Sequence, residues 1–271
     1  MFRIGRDELV TRSDKVEIDP ALIDLYKDLH RHPELGFQEH RTSAIVAERL
    51  NALGFEVTTG VGKTGVVGVL KNGAGPTALL RADMDALPVQ EDTGLDYAST
   101  ATAVDEHGET KPVAHACGHD MHMTCLLGAA QILSTDTASW SGTLLIVFQP
   151  AEELGAGAQA MVDDGLFDRF PKPDVVLGQH VAPLPAGKIA GHPGLSYAGS
   201  DSLRVRVIGR GAHGRCRKHP STRSSLRPRS YCVCRRSSRA RSRARRPRCS
   251  RSVPFTREMR PTSFPVRSCC S

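Results

Sequence analysis

The apolar residues change their period along the chain. Between residues 20 and 30, Leu22, Ile23, Leu25, Tyr26 and Leu29 recur three and four apart, with Asp19 and Pro20 suited to a cap and first turn, and this predicts an amphipathic helix. A second helix is predicted over 42–53, ended by Gly54. From there the pattern shortens to β-branched or Leu-rich runs at 65–70, 77–82, 143–148, 174–178 and 202–208, which read as strands. Helical stretches at 121–133 and 157–164 separate some of them. The alternation predicts an α/β layer structure around a mixed, largely parallel and largely buried sheet.

Composition divides the 271 residues at one place. Residues 215–271 hold 18 of the 36 Lys and Arg but a single acid, Glu258, whereas residues 1–214 hold 18 basic and 28 acidic side chains. The formal net charge of +7 therefore describes neither part, and it gives no ground for a nucleic-acid partner of the whole chain. Cys117 and Cys125 lie before the break and the other six cysteines after it, so the first part has no disulfide framework. The opening MFRIGRDELV lacks the apolar core of a secretion signal, and the apolar run 144–148 is too short to span a bilayer. A soluble, cytoplasmic setting without a membrane partner is expected.

Candidate chemistry collects just past the predicted strands. RADMDALP (81–88), QPAEE (149–153) and GQH (178–180) each follow one, and open α/β sheets bind ligands at the carboxyl ends of their strands. HACGHDMH (115–122) brings Cys117, His119, Asp120 and His122, four metal-competent side chains, to the start of a helix whose dipole favours a thiolate. Glu152 and Glu153 are adjacent carboxylates expected to point apart, one toward a metal and one toward a substrate as a proton shuttle. His180 would add a nitrogen ligand, and Asp83 or Asp85 would orient one. Cys125 is expected to be a small core residue.

These motifs, with GRGAHG (209–214) and LHRHPELGFQEHRT (29–42), occur in the order and spacing of one group, and residues 20–214 resemble the hippurate hydrolase, N-acyl-amino-acid amidohydrolase and auxin-conjugate hydrolase group of di-metal peptidases. The resemblance implies Cys117, His119, Glu153 and His180 as metal ligands and Glu152 as the general acid/base. It implies that Asp85 steadies the ligand shell and that His213, in a lid domain, holds the substrate's polar group. The reaction implied is metal-assisted hydrolysis of an N-acyl amino acid, in which Glu152 takes a proton from the attacking water and returns it to the leaving amine. Two divalent ions are implied, zinc or manganese first and cobalt or nickel next. The intact parent would be a homo-oligomer.

After Gly214 the resemblance stops, and the chain becomes Arg-, Ser- and Cys-rich without a period of 2 or 3.6. Such a composition is expected to be disordered. Restoring one T before a codon set for 215–221 turns Arg-Cys-Arg-Lys-His-Pro-Ser into Ser-Met-Pro-Gln-Ala-Ser-Ile, the continuation expected of the group, so a frameshift accounts for the change. The expected organisation is an incomplete catalytic domain over 14–194, the first strand of an inserted α+β lid or dimerisation domain over 195–214, and an out-of-frame tail over 215–271. Little or no activity is expected from such a chain. The alternatives are loose binding of nucleic acid or another polyanion by the basic tail, without sequence specificity, and a non-catalytic role capping full-length homologues.

Overall fold

The structure, a computed structural model, describes residues 19–191, Gly194 and the pairs Arg204–Val205 and Phe264–Pro265. His213 and nearly all of 195–271 lie outside the described residues, and so do the lid and tail expectations that rest on them. The chain divides into two units, Met1–Leu184 and Pro185–Ser271.

In the first unit, helix α1 (Pro20–Arg31) starts where Asp19 Oδ1 accepts the amide of Ala21 at 2.9 Å, and it buries Leu25 and Leu29. Helix α2 (His40–Ala52) begins two residues earlier than the sequence predicts. The reason is a cap supplied from a distance: the Glu34 carboxylate accepts the amides of Arg41 and Thr42 at 3.0 and 2.7 Å. Strand β1 (Glu56–Val61) was not legible as a strand, because EVTTGV has three polar residues and a glycine among its six positions and only Val61 is buried. It pairs antiparallel with β2 (Gly65–Asn72).

Strands β3 (Thr77–Asp83), β6 (Gly142–Gln149) and β7 (Val175–Gly178) complete a five-stranded mixed sheet in the order β1-β2-β6-β3-β7. The β2–β6 ladder is antiparallel, and β3 pairs parallel with both β6 and β7. A short hairpin of β4 (Thr102–Val104) and β5 (Thr110–Pro112) lies between β3 and helix α3 (His119–Thr135) in sequence. One sheet face carries α1, α2 and α3 around Leu29, Leu50, Met123, Ile146 and Phe148. The other carries α4 (Gly157–Asp163) and α5 (Leu166–Arg169) through Met161 and Leu166, packed on Val67 and Leu145.

Two expectations change. Cys125 is exposed and not a core residue. The buried stripe of α3 runs through His119, His122, Met123, Leu126, Leu127 and Ala130, and at 100° per residue Cys125 falls outside it. The sheet is buried at β2 and β6, yet all four residues of the edge strand β7 are exposed. No helix among the described residues is long and apolar enough to cross a membrane. In the second unit, β8 (Arg204–Val205) and β9 (Phe264–Pro265) pair antiparallel.

Candidate metal centre

The parallel strands β3, β6 and β7 end together, and each delivers ionisable side chains to the same place. Asp83 is the last residue of β3 and Asp85 follows it, Glu152 and Glu153 follow β6 by three and four residues, and His180 follows β7 by two. The fourth contribution is the start of α3. Gly118 precedes it at φ +82°, a left-handed conformation that a side chain resists, and a Cβ there would stand 2.5 Å from Val181 Cγ2. This turn places Cys117 Sγ 3.4 Å from His180 Nε2 while His119 enters the interior.

His119 is fully buried and lies among carboxylates. Its Nε2 is 3.6 Å from Asp83, 3.9 Å from Glu152 Oε2 and 3.8 Å from Glu153 Oε1, and its Nδ1 is 3.3 Å from Asp85 Oδ1. Neither ring nitrogen makes an aligned hydrogen bond, and Glu153 Oε1 is likewise buried without a partner. Burial works against charge on His119, but Asp85, Asp83 and Glu153 outweigh it and raise its pKa. Burial also raises the pKa of Glu153, against the opposing contacts with Cys117 and His119.

The Glu152–Glu153 pair departs from the expectation that neighbouring carboxylates point apart. Ala151 sits at φ +45° and the chain turns there, so strand alternation is lost and both glutamates approach His119. They differ in exposure: the Glu152 side chain is 41% exposed and that of Glu153 21%. Asp85, itself buried, holds this turn by accepting the amides of Glu152 and Glu153, both at 3.0 Å. Gly157 closes it, since a Cβ there would lie 1.5 Å from the carbonyl oxygen of Pro150.

Asp120 and His122, metal-competent in sequence, are occupied otherwise. His122 Nδ1 donates to Asp83 Oδ1 at 2.6 Å and its Nε2 accepts the amide of Val181 at 2.9 Å, so this ring is a strut between the end of β3 and the His180 loop. Burial would raise the Asp83 pKa, but the His122 hydrogen bond and the charges of His119 and Arg81 bring it down to about 2. Asp120 is bonded to His30 Nδ1 at 2.6 Å.

Cys117 corrects the expectation of a thiolate favoured by the helix dipole. Burial and the nearby carboxylates of Glu153, Glu152 and Asp83 push its thiol up to about 12, so burial and three acids outweigh the end of one helix. The donor set thus has the chemistry of a cation site: Cys117 with His119 and His180, and His119 with Glu152 and Glu153, bring ligand atoms within 4.8 Å of one another, while in a third such group, Asp83 with His119 and His122, both nitrogens of His122 are already bonded. Together with the unpartnered His119 nitrogens and Glu153 oxygen, these residues fit divalent metal, which would supply the missing partner and lower the thiol pKa. Glu39, Asp83 and the His122 strut were not singled out as one support by the sequence, because their partners lie 39 to 112 residues away.

The fold and its site define a metal-site α/β protein whose donors stand at the ends of parallel strands. The chain matches the family described as Peptidase family M20/M25/M40 over residues 79–265, and it belongs to that family. The match runs past Gly214, where the sequence reading ends the resemblance. The chain is 45% identical over 204 residues to the hippurate hydrolase of Campylobacter jejuni, covering 72% of this chain and 50% of that protein. It is 40% identical over 208 residues to thermostable carboxypeptidase 1 of Saccharolobus solfataricus, covering 75% and 50%. Among solved structures, the Bacillus subtilis YXEP protein, described as a dinuclear metal binding peptidase from the M20 family, superposes with TM-score 0.54 at 36% identity, over 60% of this chain and 43% of that one. The chain spans about half the length of the curated relatives it matches.

Proposed function

We propose that the chain carries the metal-binding part of an amidohydrolase that cleaves N-acyl amino acids to a carboxylic acid and an amino acid. Cys117, His119, Glu153 and His180 hold the metal, Glu152 is the general acid/base, and Asp85 steadies the ligand shell. The observation that carries this reading is the pair His119 Nε2 and Glu153 Oε1, buried without partners 3.8 Å apart. A hippurate hydrolase and a carboxypeptidase, as named, both release an amino acid from an amide, which supports the substrate class.

Bound divalent ions would polarise the amide carbonyl and acidify water. The chain's own residues then divide the work. Glu152, the more exposed of the two glutamates, takes a proton at its carboxylate and delivers it to the leaving nitrogen, while Asp85 keeps its amide fixed at 3.0 Å. Glu153, more buried, stays with His119 as a ligand. The thiol and imidazoles favour zinc and the carboxylates admit manganese, with cobalt or nickel next, and two ions are in keeping with the dinuclear structural relative. His213 would contact the substrate's polar group. Unpaired Cys117 and Cys125 suit a reducing cytoplasm.

The test is release of amino acid from N-benzoylglycine and N-acetyl amino acids in the presence of zinc, manganese, cobalt or nickel. It compares this chain with the version that restores one T before the codon of Arg215. Activity is expected in the restored version, with a loss of about 100- to 10,000-fold on Glu152→Gln. No hydrolysis with any of the four metals in the restored version would overturn the reading.

A further inference from the structure

Of the buried groups that the proposed chemistry leaves unused, Glu39 leads most directly to the site. It stands at the start of α2 and is fully buried. Its Oε1 accepts the amide of Ala151 at 2.8 Å, and its Oε2 accepts the Thr64 hydroxyl at 2.6 Å. Thr64 is buried in turn, with its carbonyl accepting the Ser43 hydroxyl. A buried carboxylate is costly to keep, and burial raises the Glu39 pKa against the hydrogen bonds from Thr64 and Ala151. A carboxylate retained under those conditions calls for a task that its contacts define.

The contacts define one. Ala151 is a buried non-glycine residue at φ +45°, a conformation that persists only when its surroundings impose it. The Glu39 oxygen on its amide imposes it from the α2 side. Asp85 takes the next two amides, so the N–H groups of Ala151, Glu152 and Glu153 all end on two buried carboxylates from different elements. The direction in which the chain leaves β6 decides whether the two glutamates reach His119, and Glu39 holds the first residue of that turn.

We infer that Glu39 is a positioning residue, which acts through Ala151 to set the carboxylates of Glu152 and Glu153 beside His119. The inference rests on the metal-hydrolase reading given above. Glu39 touches neither metal nor substrate in this role. Cys117, His119 and His180 are held by Gly118 and by the His122 strut, independently of Ala151, so a change at Glu39 should disturb the glutamates and spare the thiolate and imidazoles.

Cobalt(II) titration of the full chain tests this, comparing the wild type with Glu39→Gln and Glu39→Ala. Three quantities are read: the thiolate-to-cobalt charge-transfer band from Cys117, the d–d bands and the cobalt Kd. Thermal midpoints without metal are recorded alongside. The wild type should show both sets of bands. Glu39→Ala should keep the charge-transfer band, shift the d–d bands and weaken binding roughly 10- to 100-fold, as loss of a group supporting metal ligands does, with Glu39→Gln in the same direction and smaller. A purely structural Glu39 would lower the thermal midpoint and leave the spectrum alone. If Glu39→Ala does not fold, Glu39→Gln decides: wild-type d–d bands and wild-type Kd in that variant overturn the inference. A wild type with no thiolate–cobalt band would instead overturn the metal reading itself, and this inference with it.

Discussion

Helix α3 opens with two neighbouring residues, His119 and Asp120, whose surroundings differ in one respect. Asp120 belongs to a closed cluster: His30 Nδ1 meets it at 2.6 Å, His30 Nε2 meets Glu91 Oε1 at 2.9 Å, and Glu91 also accepts the amide of Ser99 at 2.6 Å and the Thr93 hydroxyl at 2.5 Å. His119 belongs to an open one, with two buried ring nitrogens and no aligned hydrogen bond among four carboxylates. Both clusters are rich in charge and largely buried, so charge and burial do not tell them apart. Satisfaction does. A cluster whose polar atoms all have partners ties elements together, here α1 and α3 with the loop after β3. The unpartnered atoms of His119 and Glu153 converge at 3.8 Å and mark where something from outside the chain completes the set, unlike the His115 ring, which joins no such group.

The sharpest way to break this comparison is to remove the open member. His119→Ala should weaken zinc binding more than the roughly 10- to 100-fold that loss of a supporting group costs, measured by competition with a chromophoric chelator. Zinc affinity equal to the wild type would mean that the open cluster is not the metal site. Next in size, Asp85→Asn turns one of the two oxygens that each accept an amide into an NH2 donor, and it should cost about 10- to 100-fold in the same assay. If the cost falls on kcat of the restored enzyme with zinc affinity unchanged, Asp85 supports Glu152 and not the ligands.

What the sequence made legible follows the same division. Candidate site residues within a few residues of a strand end or helix start, namely Cys117, His119, Glu152, Glu153 and His180, are carried by local motifs, and the structure brings them into two groups that share His119. The groups that hold them could not be found that way. Glu39 meets Ala151 across 112 residues and His122 meets Asp83 across 39, and nothing local marks either pairing. A signal for Glu39 existed, an acid just ahead of a helix whose first amides are capped by Glu34, but its partner lies in another motif. Asp120 and His122 misled for the converse reason: residue type shows that a side chain can bind metal, and only the fold shows that it is already taken. Strand β1 escaped because threonine and glycine interrupt its apolar pattern, and the exposure of Cys125 could have been had from the helical phase of His119 and His122.

The closed cluster gives a smaller effect of a different kind. His30→Ala leaves Asp120 and Glu91 without their shared partner and should lower stability by about 1–3 kcal/mol in urea unfolding. Zinc affinity should change less than in Asp85→Asn. A His30→Ala chain as stable as the wild type but poor in zinc would assign this cluster to the site and dissolve the contrast.

The smallest effect is in the pH dependence, where two histidines with opposite partners should pull in opposite directions. Burial works against charge on His30, but the Glu91 and Asp120 carboxylates outweigh it and raise its pKa above 6.5. Its contribution is therefore full below the unfolded value and is lost as pH rises through the folded one. Glu91 is shifted down from 4.5: burial opposes this, but the bonds from Thr93, His30 and Ser99 prevail, so its contribution is present above that value and lost as pH falls. The cluster is thus strongest between the two unperturbed values. His115 is the counter-case. Both its ring nitrogens are buried without partners, and burial pushes it down to about 4. The unfolded chain takes up a proton there first, so stability is lost as pH falls from 6.5 toward 4. Urea midpoints measured across that range and up to pH 8, with chelator present, should show His30→Asn losing the alkaline fall and His115→Leu losing the acid one. If both variants keep the wild-type profile, the carboxylates around His30 and the burial of His115 do not set the charge of these rings, and the contrast between paired and unpaired groups has no consequence for folding.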